Sequence, residues 1–110
     1  MATIDFEEIF KSLKSQVEEL ARMFLQQYSK QAVKDGRKFL EETRENLKRW
    51  TVLLVEKRIT TEDFEWLVLS QKDLAKMLAL KQAGLSVIRI EQFRNSLLNL
   101  VVDTIFGIVL

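Results

Sequence analysis

The stretch EETRE, residues 41–45, gathers Glu41, Glu42 and Glu45 within about one helical turn, with Glu41 and Glu45 on a shared face. Carboxylates spaced this way could hold a divalent ion or divide acid and base work. Di-metal sites in helical bundles, however, combine glutamates with Glu-x-x-His motifs from facing helices, and this chain has no histidine. Arg37, Lys38, Arg44, Lys48 and Arg49 surround the three acids. The expected role is therefore a salt-laced solvent face.

The missing histidine also removes the commonest general base and the commonest transition-metal ligand. No cysteine is present, so thiol chemistry and disulfides are excluded. Ser/His/Asp and Cys/His arrangements cannot be built, and glycines at 36, 84 and 107 are too scattered to cradle a phosphate. These residues predict no enzyme, no cofactor and no metal site.

Other side chains could serve binding. Residues 30–49 hold seven basic residues against four acidic ones, and a basic helix face can meet phosphates. The acids sit among the bases, and the whole chain carries only +1, from 17 basic and 16 acidic residues. No large field is expected to draw in DNA or an anionic bilayer, and nucleic acid is not an expected partner. Trp50, Trp66 and Tyr28 occupy stripe positions, where aromatics anchor cores or interfaces. Asn95, Asn99 and Asp103 step by four along an otherwise apolar segment. Such a row either fixes register at a buried helix seam or forms a wet edge, and the sequence leaves both open.

The elements that must position these groups are helices. Proline is absent, and at 110 residues with 47% hydrophobic content the chain makes one domain, 1–110. Apolar residues run Phe10, Leu13, Val17, Leu20, Phe24 in 3–4 alternation, a coiled-coil-like stripe. The spacing relaxes to fours through Tyr28, Ala32, Gly36 and Leu40, as at a coiled-coil stutter, then resumes through Thr43, Leu47, Trp50 and Leu54. With i,i+4 pairs such as Glu7–Lys11, Glu18–Arg22 and Arg37–Glu41 outside, this predicts one helix over about 4–57. The alternative is a break in KDGR, residues 34–37, at Gly36.

In RITTEDF, Thr60 as N-cap with Asp63 three residues on approximates a capping box, with Ile59 and Phe64 as a hydrophobic staple. A second helix is expected over about 61–83, ending where Gly84 suits a left-handed C′ position. Ser86 then caps a third helix over about 87–108. The expected fold is all-α: a long N-terminal helix packed antiparallel against two shorter ones, with the bundle completed by oligomerisation. The alternative is a monomeric four-helix bundle.

Oligomerisation is expected because the later segments are apolar on more than one face. WTVLLV, residues 50–55, is apolar nearly all round. In the second helix Phe64, Leu67, Leu74 and Leu78 follow one face, while Trp66, Leu69, Met77 and Leu80 follow another. The expected self-association or partner interface comprises Trp50, Leu54, Trp66, Leu69 and Met77 with Leu80, Phe93, Leu97, Val101 and Ile105.

The chain ends on LLNLVVDTIFGIVL, residues 97–110. A membrane span needs about 20 apolar residues, whereas this run is shorter, contains Asp103 and follows Arg94 and Asn95. A buried core helix is the expected answer. The opening residues lack the basic and apolar regions of a secretory signal, so a cytoplasmic setting is expected. The sequence as a whole reads as a non-catalytic helical scaffold, adaptor or assembly protein, a homodimer or tetramer with a possible protein partner. A peripheral lipid-binding protein is the alternative.

Overall fold

A computed structural model describes residues 5–24 and 26–110, with Phe24 described by its backbone alone. The first stripe forms a helix, α1, over Phe6–Phe24, whose first turn carries Glu7 and Glu8. The expected start at residue 4 lies outside the described residues. The long helix to residue 57 does not form. A single 3-10 turn, Gln26–Tyr28, intervenes, and α2 then runs over Ser29–Val55. The turn reverses the chain, so that Glu18 pairs with Arg37, Lys14 with Glu41 at 2.9 Å, and Glu7 with Arg44.

Charges expected to pair along one helix thus pair mainly across the α1–α2 seam. The Glu18–Arg22 contact within α1 is long, at 3.9 Å. Exposed pairs contribute only about 0–1 kcal/mol each, so the seam's stability lies underneath them. Phe6, Ile9, Phe10, Leu13, Val17 and Ala21 of α1 are buried, as are Ala32, Phe39, Leu40 and Leu47 of α2. Lys14 and Arg44 both lie over the Phe10 ring, at 5.0 and 5.4 Å from its centroid, and close the edge of this core.

Gly36 is not a break. It sits inside α2 where α1 packs tightly against it, and a Cβ there would lie 2.5 Å from Val17 Cγ1 and 4.0 Å from Leu97 Cδ1. The stripe passes through Gly36 in phase because the glycine is a contact point between helices. Alanine at this position improves helix propensity by about 1 kcal/mol, but it must displace a stiff, fully buried valine at an overpacking cost of about 1–3 kcal/mol. Gly36→Ala is therefore expected to lower the melting temperature, and Val17→Ala in the same chain to recover part of the loss. Additive losses in a double-mutant cycle would show that the two positions do not touch.

The expected second helix is also interrupted. α3 covers Thr61–Leu69, a 3-10 stretch covers Ser70–Leu74, and α4 covers Leu78–Gln82. Its start is as the sequence implies: the Thr60 hydroxyl accepts from Asp63 N–H at 3.0 Å, and the Asp63 carboxylate accepts from Thr60 N–H at 3.0 Å. The interruption comes at Ala75–Met77, where Met77 takes a left-handed conformation with φ of 55°. Two neighbouring helices hold the joint. Arg94 donates from Nε to the Ala75 carbonyl at 2.8 Å, and Asp35 of α2 accepts from the Ala79 and Leu80 amides in the first turn of α4.

That joint explains the two apolar faces. Because helical phase jumps at 75–77, Phe64 and Val68 before it and Met77 and Leu80 after it all turn into one core, while Trp66, Leu74 and Leu78 face outward.

At the end of α4, Gly84 adopts φ of 87° and Leu85 N–H reaches back to the Leu80 carbonyl at 3.2 Å. Ser86 then caps α5, Val87–Val109, accepting from Arg89 N–H at 3.3 Å. Phe64 and Phe106 meet with ring centroids 5.5 Å apart, and Leu97 reaches the Val17–Gly36 contact. The architecture is all-α, an up-down-up-down antiparallel bundle in which α3 and α4 together make the third arm. It resembles the expected four-helix alternative, with its first break at Gln26–Tyr28 instead of Gly36.

Candidate functional site

Asp35 is the one described carboxylate drawn into the core, at 7% exposure. Helix α2 carries it on the same face as Ala32, Gly36 and Phe39, pointed at the third arm. Its Oδ1 accepts from Ala79 N–H at 3.0 Å and its Oδ2 from Leu80 N–H at 2.8 Å. The first turn of α4 has no cap of its own, since Met77 stands at the N-cap position with no side-chain hydrogen bond. Asp35 supplies that cap across 44 residues of sequence and also offers negative charge to amide donors. Lys38 and Lys76 line a small cleft beside it. With both oxygens occupied by backbone donors, this carboxylate is built to hold α4.

The other candidate groups have been placed in similar ways. Glu41, Glu42 and Glu45 are exposed; Glu41 pairs with Lys14 and Glu45 approaches Arg44 at 3.8 Å. No three His, Cys, Asp or Glu side chains come together as a metal site among the described residues. The buried Thr43 and Thr51 hydroxyls donate to the Phe39 and Leu47 carbonyls, four residues back on their own helix, at 2.9 and 2.6 Å. Asn95, Asn99 and Asp103 are exposed, so the polar row on α5 is the wet edge.

The expected interface residues divide sharply. Trp50, Leu54, Met77, Leu80, Phe93, Leu97, Val101 and Ile105 are buried inside the single chain, and Leu69 is partly buried against the same core. Their coverage needs no second copy, because folding at residues 26–28 and the phase jump at 75–77 supply the missing neighbours. Trp66 alone of the ten remains open to solvent, at 69% exposure.

Among the described residues, two surfaces stand out as able to meet another body. One is the outer side of α3 with Trp66. The other is the end of the bundle where α1 finishes, α2 begins, α4 finishes and α5 begins. Met23, Gln26, Gln27 and Tyr28 share a groove there with Arg89 of α5. Open clefts on either side of Lys30 lead to Arg22 and Arg37 in one direction, and to Lys34 and Gln82 in the other. Sequence reasoning missed both this end and the role of Asp35. An acid inside an apolar stripe, with no capping residue ahead of Leu78, was the signal for Asp35.

No helix among the described residues is long and apolar enough to cross a membrane. No protein-family model matches the chain, and neither does a curated protein or a solved structure.

Proposed function

We propose that this protein is a non-catalytic helical assembly or adaptor module, acting in the cytoplasm and associating through the Trp66 surface of α3. The observation that carries the reading is Trp66 itself, left in solvent on a helix whose other side buries Phe64 and Val68. Tryptophan is enriched at contact surfaces and dominates their energetics where it becomes buried. A twofold dimer is the simplest assembly such a patch can make, because the same surface serves both copies.

Sedimentation velocity over a micromolar concentration series tests this. The wild type should shift toward a dimer as concentration rises. Trp66→Ala should weaken association by about 30-fold, the effect of a hot-spot residue, and should leave the melting temperature within a few degrees. A wild type that stays monomeric throughout, or a variant that dimerises equally well, would defeat the self-association reading. The second reading, a lipid-binding protein that lays its first helix on a bilayer, conflicts with the burial of that helix's apolar face in the bundle. Any lipid contact would have to use another surface.

A further inference from the structure

We infer that the α1–α2 and α4–α5 end of the bundle is a docking surface for an anionic membrane. The inference is independent of the Trp66 contact, which lies on α3 toward the other end. Two observations coincide here. The first is charge. Arg22, Lys30, Lys34, Lys81 and Arg89 are all exposed, and they come from four different helices. Their acidic neighbours are partly neutralised: Glu18 holds Arg37 and Arg22, Glu91 holds Arg94, and Asp35 is turned inward as the α4 cap. Glu19 alone is left exposed among these bases without an ion pair within the described residues.

The second observation is apolar. Met23, Val87 and Ile88 stand 72–79% exposed at this same end, beside the groove that joins Met23 to Arg89. Large aliphatic side chains in water among basic groups suit a headgroup layer: the bases meet lipid phosphates and carboxylates while the apolar tips reach the acyl boundary. A nucleic acid would use the bases but has no need of the aliphatic tips. The opposite end contrasts. Ile108 and Leu110 are exposed there too, but the first turns of α1 and α3 place Glu7, Glu8, Glu62 and Asp63 around that end, against the exposed Lys57 and Arg58 and the Arg44 that pairs with Glu7. An anionic surface attracts the first end more strongly than the second, which orients the bundle upright. A net charge of +1 conceals this because it sums 17 bases and 16 acids without regard to where the fold places them.

Vesicle co-sedimentation with the full chain is the test. Binding is expected to phosphatidylcholine vesicles containing about 30 mol % phosphatidylserine and to be weak without it. It should fall steeply between about 0.1 and 0.5 M salt. Each surface base is worth about fivefold in partitioning, so Lys30→Glu with Lys34→Glu should lower binding by at least about 25-fold. Ile88→Ser should lower it by about tenfold, whereas Ile108→Ser should leave it unchanged. All of these positions are exposed, and circular dichroism should confirm unaltered folding.

Any of four results would overturn the proposal: no binding to phosphatidylserine vesicles at low salt; equal binding to neutral vesicles; full binding by the charge-reversed variant; or loss on Ile108→Ser instead of Ile88→Ser. Binding of a short DNA duplex that phosphatidylserine vesicles fail to displace would assign the surface to nucleic acid and likewise refute it.

Discussion

A chain ending at Ser96 is expected to lose its native fold and aggregate. Residues 97–110 contribute Leu97, Leu98, Val101, Val102 and Ile105 to the buried core, with Leu100, Phe106 and Val109 packed partly against it. Full burial of such side chains is worth about 1.5–3 kcal/mol each, so the five buried ones alone supply about 8–15 kcal/mol. A compact unfolded state reduces that sum by about 10–40%, yet the remainder still matches the whole stability of a typical domain, about 5–15 kcal/mol. Removing them also uncovers Phe64, whose ring packs at a tilt against Phe106, and the Val17–Gly36 contact that Leu97 covers. Ile108 and Leu110, being exposed, contribute little. A chain ending at residue 107, which loses only the partly buried Val109 besides these two, should therefore melt much nearer the full chain than one ending at residue 96. Thermal melts of the two truncations make the comparison, and a soluble 1–96 chain melting within a few degrees of the wild type would show that the tail is not core.

The second large effect is expected at Asp35. Alanine there removes both acceptors for the Ala79 and Leu80 amides, the latter fully buried, and α4 offers no replacement cap. Losing charge-assisted bonds while leaving buried donors unpaired should cost about 2–4 kcal/mol. For a domain of this size that lowers the melting temperature on the order of 10–20 °C. Asparagine keeps one oxygen for one amide and turns its NH₂ group toward the other donor, so Asp35→Asn should lie between the wild type and alanine. Hydrogen exchange should report the damage locally, with faster exchange at residues 79 and 80 than in α1. A melting temperature unchanged by Asp35→Ala would mean that α4 is held by Met77 and Leu80 packing alone.

The signals in RITTEDF and KQAGLS hold because caps and left-handed glycines act over three to five residues, so their chemistry is complete within the local sequence. The first break had no such signature. Gln26–Tyr28 contains neither glycine nor proline, and Tyr28 at the start of α2 makes no capping hydrogen bond. Both helices of an antiparallel hairpin show the same core their apolar side, so the stripe runs on past the reversal. The change to four-residue steps after Phe24, expected to be a stutter within one helix, marks the turn instead. Gly36, the conspicuous breaker, lies in α2 because Val17 needs the space.

The candidate surfaces were legible to different degrees. Trp66 stood out by type, although its neighbours Met77 and Leu80, assigned to the same face, went inward once the phase changed at 75–77. The basic end was hidden for a topological reason. Lys30 and Lys34 are far in sequence from Lys81 and Arg89, and only the up-down-up-down path brings them to one end.

The bundle depends on the chain reversing at residues 26–28, so that one copy closes its own core. The absence of cysteine makes this measurable with spin labels on Glu8→Cys and Glu45→Cys, two exposed positions flanking the Glu7–Arg44 pair. Across adjacent helices, label separations on the order of 10–20 Å are expected, given interaxial distances of about 8–10 Å. A continuous helix would hold the same positions about 55 Å apart at 1.5 Å per residue. Diluting labelled protein with an excess of unlabelled protein, refolded together, separates contacts within a chain from contacts between chains. A short distance that survives dilution is the predicted result; a distance near 55 Å, or a short one that dilution abolishes, would contradict it.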